Sequence, residues 1–147
     1  MLRNKRFGLV LLAVVFAAGF VLGNLVQPSP VLSAQSGGKV YELRTYTAAP
    51  GKLSDLESRF RDHTVRLFER HGMTNIGYWV ATDAPLSENT LLYVLEYDSR
   101  EAAQASWDAF RADPDWVEAR AESERNGRLV SGVESVFMQA TDYSPIN

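Results

Sequence analysis

From Lys39 onward the apolar positions switch between a period of two and a period near 3.6, and each switch marks an element. Lys39 to Thr47 (KVYELRTYT) alternates and is rich in β-branched and aromatic residues, which predicts a strand. Pro50-Gly51 then signals a turn. Leu53, Leu56, Phe60, His63 and Leu67 come next at steps of 3, 4, 3 and 4, the spacing of one face of an amphipathic helix. Ser54 and Glu57 have capping-box spacing at its start. Arg70 and His71 suit its C-terminal dipole, and Gly72 suits the position just beyond. Met73 to Thr82 predicts a second strand, Asp83 to Asn89 a polar loop, and Thr90 to Tyr97 (TLLYVLEY) a third, central strand. Asp98 or Ser99 caps the next helix, which carries Ala103, Trp107 and Phe110 on one face. Asp113-Pro114 interrupts it and opens a further helical piece with Trp116 and Val117 inward. Asn126-Gly127 ends that piece, and Arg128 to Ala140 is the last strand.

Strand, helix, strand, strand, helix, strand is the ferredoxin-like βαββαβ arrangement. This is an α+β fold, a four-stranded antiparallel sheet with both helices on one face. The other face must then meet water or a partner. Alternation splits each strand into two sets. The set with Tyr41, Leu43, Tyr93, Leu95 and Phe137 is the more apolar and is assigned to the helices. Glu42, Arg44, Tyr46, Trp79, Glu96 and Glu134 are thereby placed on the far face, beside Val94, Val136 and Met138. So much apolar surface there asks for a cover, most simply a second copy of the chain.

The first 38 residues obey different rules. MLRNKR is basic, and Phe7 to Val26 is apolar with one strongly polar member, Asn24. Residues 1–34 therefore predict an export signal peptide or an N-terminal membrane anchor, with small residues near Ser33-Ala34 where cleavage would fall. A retained helix over residues 7–26 is long enough to span a bilayer and would be the membrane contact. In either case the positive-inside rule sends the body across the cytoplasmic membrane, to a periplasmic or secreted location. Residues 35–38 read as a linker, 39–140 as the domain and 141–147 as a tail.

Composition narrows the chemistry. With 147 residues, 46% hydrophobic and 22% charged, the chain is of ordinary globular make-up. It contains no cysteine, which excludes disulfides, thiol nucleophiles and Cys-zinc sites. Net charge is −3. Setting Arg3, Lys5 and Arg6 aside from the 15 Lys and Arg leaves 12 against 18 acidic residues, and so acidic a body disfavours nucleic acid. His63 and His71 are too far apart for a short metal motif, so no metal is expected, and no cofactor motif is found.

VYELRTYTAAPGKL, HTVRLFERHGMTNIGYW and LLYVLEYDSREAAQASWDAFRADPDW together resemble the NIPSNAP family over residues 39 to about 140. The resemblance implies the dimeric α+β barrel, in which two ferredoxin-like sheets pack face to face as a homodimer. It implies no agreed activity. Cofactor-independent monooxygenases share the architecture, but a shared fold does not carry a reaction with it.

Several residues are candidates for chemistry. Glu42, Glu96 and Glu134, if gathered at one pocket, raise one another's pKa and supply a general base; otherwise they pair with Arg44 or with arginines of a second subunit. Tyr46 and Trp79 stack on a planar ligand or fill the interface. His63 is a base at the pocket edge or a core histidine bonded to backbone. Three functions remain open on these residues. The first is a homodimer holding a small apolar or aromatic molecule between sheet and helices. The second is a cofactor-independent monooxygenase or isomerase, and the third a structural dimerisation module at the membrane.

Overall fold

The computed structural model describes residues 38–146. The expected signal or anchor of residues 1–34, and the linker up to residue 37, lie outside the described residues. Among those described, no helix is long and apolar enough to cross a membrane.

The elements run β1 (Val40–Ala48), α1 (Leu53–Arg59), a π-helical turn (Phe60–Thr64), α2 (Val65–Arg70), β2 (Thr74–Val80), β3 (Thr90–Tyr97), α3 (Arg100–Ala112), α4 (Pro114–Ser123) and β4 (Val130–Gln139). The strands form one sheet in the order β2-β3-β1-β4, with every neighbouring pair antiparallel. This is the ferredoxin-like α+β topology that the element order predicts. Local chemistry explains most boundaries. The Ser99 hydroxyl caps α3 by accepting from the Ala102 amide. Asp113 caps α4, with Pro114 in its first turn. Gly72 and Gly127 close the preceding helices at φ 76° and 103°, where a side chain would be strained. The expected capping box at Ser54 is absent: Lys52 stands at the N-cap of α1 and makes no side-chain cap bond. Val117, expected inward on α4, is exposed.

The core lies between the helices and one face of the sheet. Leu56, Phe60, Leu67 and Phe68 meet Leu91, Tyr93 and Leu95 of β3 and Trp107 and Phe110 of α3. Phe60 and Phe68 flank the Tyr93 ring at centroid distances of 5.2 and 5.8 Å.

Two further corrections concern where side chains point. Strand β1 is turned over. Glu42, Arg44 and Tyr46 stand opposite Leu95, Tyr93 and Leu91, so they share the helix side, whereas Tyr41, Leu43 and Thr45 stand opposite Glu96, Val94 and Leu92 on the far face. Polarity misleads because both faces of this strand carry large side chains, and the polar set finds its partners beneath the helices. His63 is the second correction. The π turn inserts one residue into the helix and rotates the remaining turns by about 100°. Thr64 is therefore buried, and His63 is left half-buried at the margin.

Candidate functional site

The candidate site is built on the helix side of β1 and β4. Glu42 is 1% exposed, and four side chains answer its carboxylate. Oε2 accepts from the Tyr97 hydroxyl at 2.9 Å and from Trp107 Nε1 at 2.8 Å. Oε1 accepts from the Ser135 hydroxyl and from Arg44 Nη1, both at 2.6 Å. The donors come from β3, α3, β4 and β1, so the carboxylate ties three strands to a helix. Burial pushes the Glu42 carboxyl up, but the Ser135 and Trp107 hydrogen bonds and the Arg44 charge overcome this and hold it below its ordinary value. It is an ionised group with its acceptor sites taken. Burial opposes the charge on Arg44, but the neighbouring Tyr93, Tyr46 and Glu42 outweigh it and raise its pKa. Its guanidinium lies 4.3 Å from the Trp107 ring centroid and 5.6 Å from that of Tyr46.

Beside this network lies a cavity of about 310 Å³ between β1, β4 and the helices α3 and α4. Tyr46, Trp107, Phe110 and Trp116 supply its rings, and Arg44, Arg59, Arg111, Arg120 and Arg128 its charge, against Glu124 as the one lining carboxylate. Glu124 Oε1 accepts from Arg59 Nη1 at 3.2 Å, and its Oε2 lies 3.4 Å from Arg120 Nε. Burial raises the Glu124 carboxyl, and the Arg59 hydrogen bond and charge more than reverse that. Arg111 pairs with Asp108 at 2.6 Å on the outer surface. A second hollow, of about 320 Å³, shares Arg44, Trp107 and Arg111 and adds Glu42, Arg100, Gln104, Ser135 and Phe137.

The three glutamates do not converge. Glu96 is on the far face near the Lys39 ammonium, 3.4 Å away. Glu134 is exposed on the far face opposite Thr45, toward the other end of the strands. Trp79 also stands on the far face and lines an apolar hollow of about 330 Å³ with Tyr41, Ile76, Val94 and Met138. The structure thus gathers Glu42, Arg44 and Tyr46 and separates them from Glu96, Glu134 and Trp79. His63 lines none of these three hollows. Among the described residues no group of acidic or histidine side chains could hold a metal ion.

Sequence reasoning left Arg59 without a role, although a signal was present. Arg59 lies three residues after Leu56 on the inward stripe of the helix, where an arginine is out of place unless it has buried work. Trp107 and Phe110 are core as their spacing predicts, Trp116 packs half-buried against them, and all three line the cavity as well.

The topology and the position of this cleft define a ferredoxin-like α+β domain with a pocket between sheet and helices. The profile of the NIPSNAP family matches residues 41–145, and the chain belongs to that family. A NIPSNAP family protein of unknown function from Agrobacterium tumefaciens superposes with a TM-score of 0.66 at 20% identity, over 76% of this chain and 96% of its own. A second protein of the family from the same organism gives 0.65 at 21% identity, over 74% and 99%. A NIPSNAP-like domain protein from Burkholderia xenovorans gives 0.64 at 18% identity, over 74% and 90%. Likeness at these identities speaks for the fold alone. No functionally curated protein matches the chain.

Proposed function

We propose that this NIPSNAP domain is an exported homodimer that binds a small aromatic molecule in the cleft between the sheet and α3–α4, and that it binds the molecule without transforming it. The observation that carries the reading is the cavity of about 310 Å³ with the rings of Tyr46, Trp107, Phe110 and Trp116 in its wall. Its size is at the low end of small-molecule pockets and suits one or two fused rings. Binding is favoured over catalysis because neither carboxylate at hand is free: Glu124, which lines the cleft, is paired with Arg59 and Arg120, and the buried Glu42 beside it is saturated by four donors. A general base needs a free lone pair and a pKa near the working pH.

Homodimerisation is supported by the far face of the sheet, where Trp79 and Val136 are 53% and 54% exposed beside Val94 and Met138. Export is supported by the basic start and apolar run of residues 1–26. An alkaline phosphatase fusion at the C-terminus of the full chain would be active outside the membrane; an inactive fusion would remove the export reading.

The binding reading is tested on the full chain by tryptophan fluorescence with naphthalene derivatives. Quenching that saturates is expected, and it should be lost in Trp116→Ala, which keeps the buried Trp107. Quenching that persists unchanged in that variant would place the ligand elsewhere and overturn the reading.

A further inference from the structure

The cleft's charge is at odds with the chain that builds it. The sequence is net acidic, yet five arginines and one carboxylate line this cavity. Guanidinium groups on a surface are ordinarily answered by nearby carboxylates or by water. In the cleft the two most buried ones are only half answered. Arg59 is 5% exposed; its Nη1 is taken by Glu124 and Ser123, but its buried Nε has no hydrogen-bond partner. Arg44 repeats the arrangement, with Nη1 on Glu42 and Nε buried and unpartnered. Arg128, at the rim, forms no ion pair among the described residues. The lining therefore carries an excess of positive charge, which an anionic ligand in the cavity would offset.

We propose that the cleft selects aromatic molecules bearing an anionic oxygen group, a carboxylate being the form that fits a planar guanidinium, with Arg59 and Arg44 holding the anion and Arg128 closing over it. This inference rests on the binding reading above and names the class of its ligand. The rings of Trp116 and Phe110, 4.5 Å apart by centroid, present an aromatic wall beside the charges. Arg59 is itself stacked 5.2 Å from the Trp116 centroid, which fixes the fork relative to that wall. A planar ring lying on the wall places a substituent carboxylate toward the guanidinium side. Arginine suits the task because its planar donors match the two oxygens of a carboxylate.

The test compares 2-naphthoate with its neutral isostere 2-naphthamide on the full chain, by tryptophan quenching and calorimetry at two salt concentrations. Naphthoate is expected to bind about tenfold or more tightly than the amide, the gain of a charge-assisted hydrogen bond over a neutral one. The gap should narrow in Arg59→Gln. It should narrow also in Arg128→Gln, whose exposed side chain does not threaten the fold. Arg125→Gln removes an equal charge outside the cavity and should leave the gap intact. Equal affinities for acid and amide would overturn the anion selectivity while leaving the binding reading in place. Binding of neither probe at millimolar concentration would remove both. A preference for the acid that survives Arg59→Gln and Arg128→Gln alike would place the anion elsewhere and overturn this proposal.

Discussion

On the helix side of the sheet a carboxylate, Glu42, is buried to 1% exposure and answered by four donors of its own chain. On the far side Trp79 and Val136 stand more than half exposed within the described chain. Each face carries residues of the wrong polarity for its surroundings, and the two cases are resolved at different levels. A buried charge must be satisfied at once, because leaving it unanswered costs several kcal/mol per group. Exposed apolar surface costs far less per residue and can wait for a second molecule. The first face therefore bears on whether the domain folds, and the second, on the homodimer proposed above, on whether it associates.

Substitutions on the two faces should separate these properties. The largest effect belongs to Glu42→Ala. It leaves Arg44 without its counter-charge and strands the buried donors of Tyr97 and Trp107, so urea unfolding should show a loss of about 3–5 kcal/mol. A loss below about 1 kcal/mol would mean that the network closes around water, and the contrast between the faces would fail. Val94→Asp comes next. It should leave the protomer folded by far-UV circular dichroism but weaken association by about 2–3 kcal/mol, read by sedimentation equilibrium. Unfolding in place of dissociation would show that the far face stabilises the protomer itself.

Acid should weaken the helix side. The His71 hydrogen bond holds the Asp113 carboxyl at about 2, against a burial effect in the other direction; the Asp115 amide and Arg70 add to the lowering. Because the folded value lies below the ordinary 3.8, the stabilisation is complete above about pH 4 and is lost as the pH falls toward 2. Asp113→Asn should flatten the melting temperature over that interval; an unchanged slope would assign the acid sensitivity to another group. The smallest effect is expected at Glu96→Gln. Its partner Lys39 is largely solvated, and the melting temperature should match that of the parent. A clear drop would show that Glu96 is held by more than the solvated Lys39, the neighbouring Tyr41 hydroxyl being the group at hand.

The order of the elements and the extent of β3 are legible in the sequence because period and punctuation agree: TLLYVLEY is bounded by polar loop residues on one side and a helix cap on the other. The orientation of β1 is not legible. Its alternation separates Glu42, Arg44 and Tyr46 from Tyr41, Leu43 and Thr45 correctly, but nothing local says which set meets the helices. The usual rule, apolar inward, assumes one wet face, and both sets here are large enough to be covered. The π turn is equally silent, since FRDHT carries no glycine or proline to announce an added residue. That one residue moves Thr64 inward and His63 aside. The candidate site was thus readable as to its first three residues, Glu42, Arg44 and Tyr46. Its other four arginines were not, because they arrive from α1, α3, α4 and the approach to β4, and only the tertiary fold assembles them.

The pairing of β1 with β4 has a consequence for the order in which the molecule can come into being. Val40 lies opposite Gln139, so the first strand made waits for the last before one of its edges is closed. Contacts between such distant parts of a chain are slow to form, because a long loop must be closed before they yield anything. Until β4 docks, Glu42 lacks the Ser135 donor and the cleft lacks its floor from Val130 to Val133. A nascent chain therefore lacks this cleft until residues 130–139 have emerged, which makes the cavity between sheet and helices one of the last features of the domain to form.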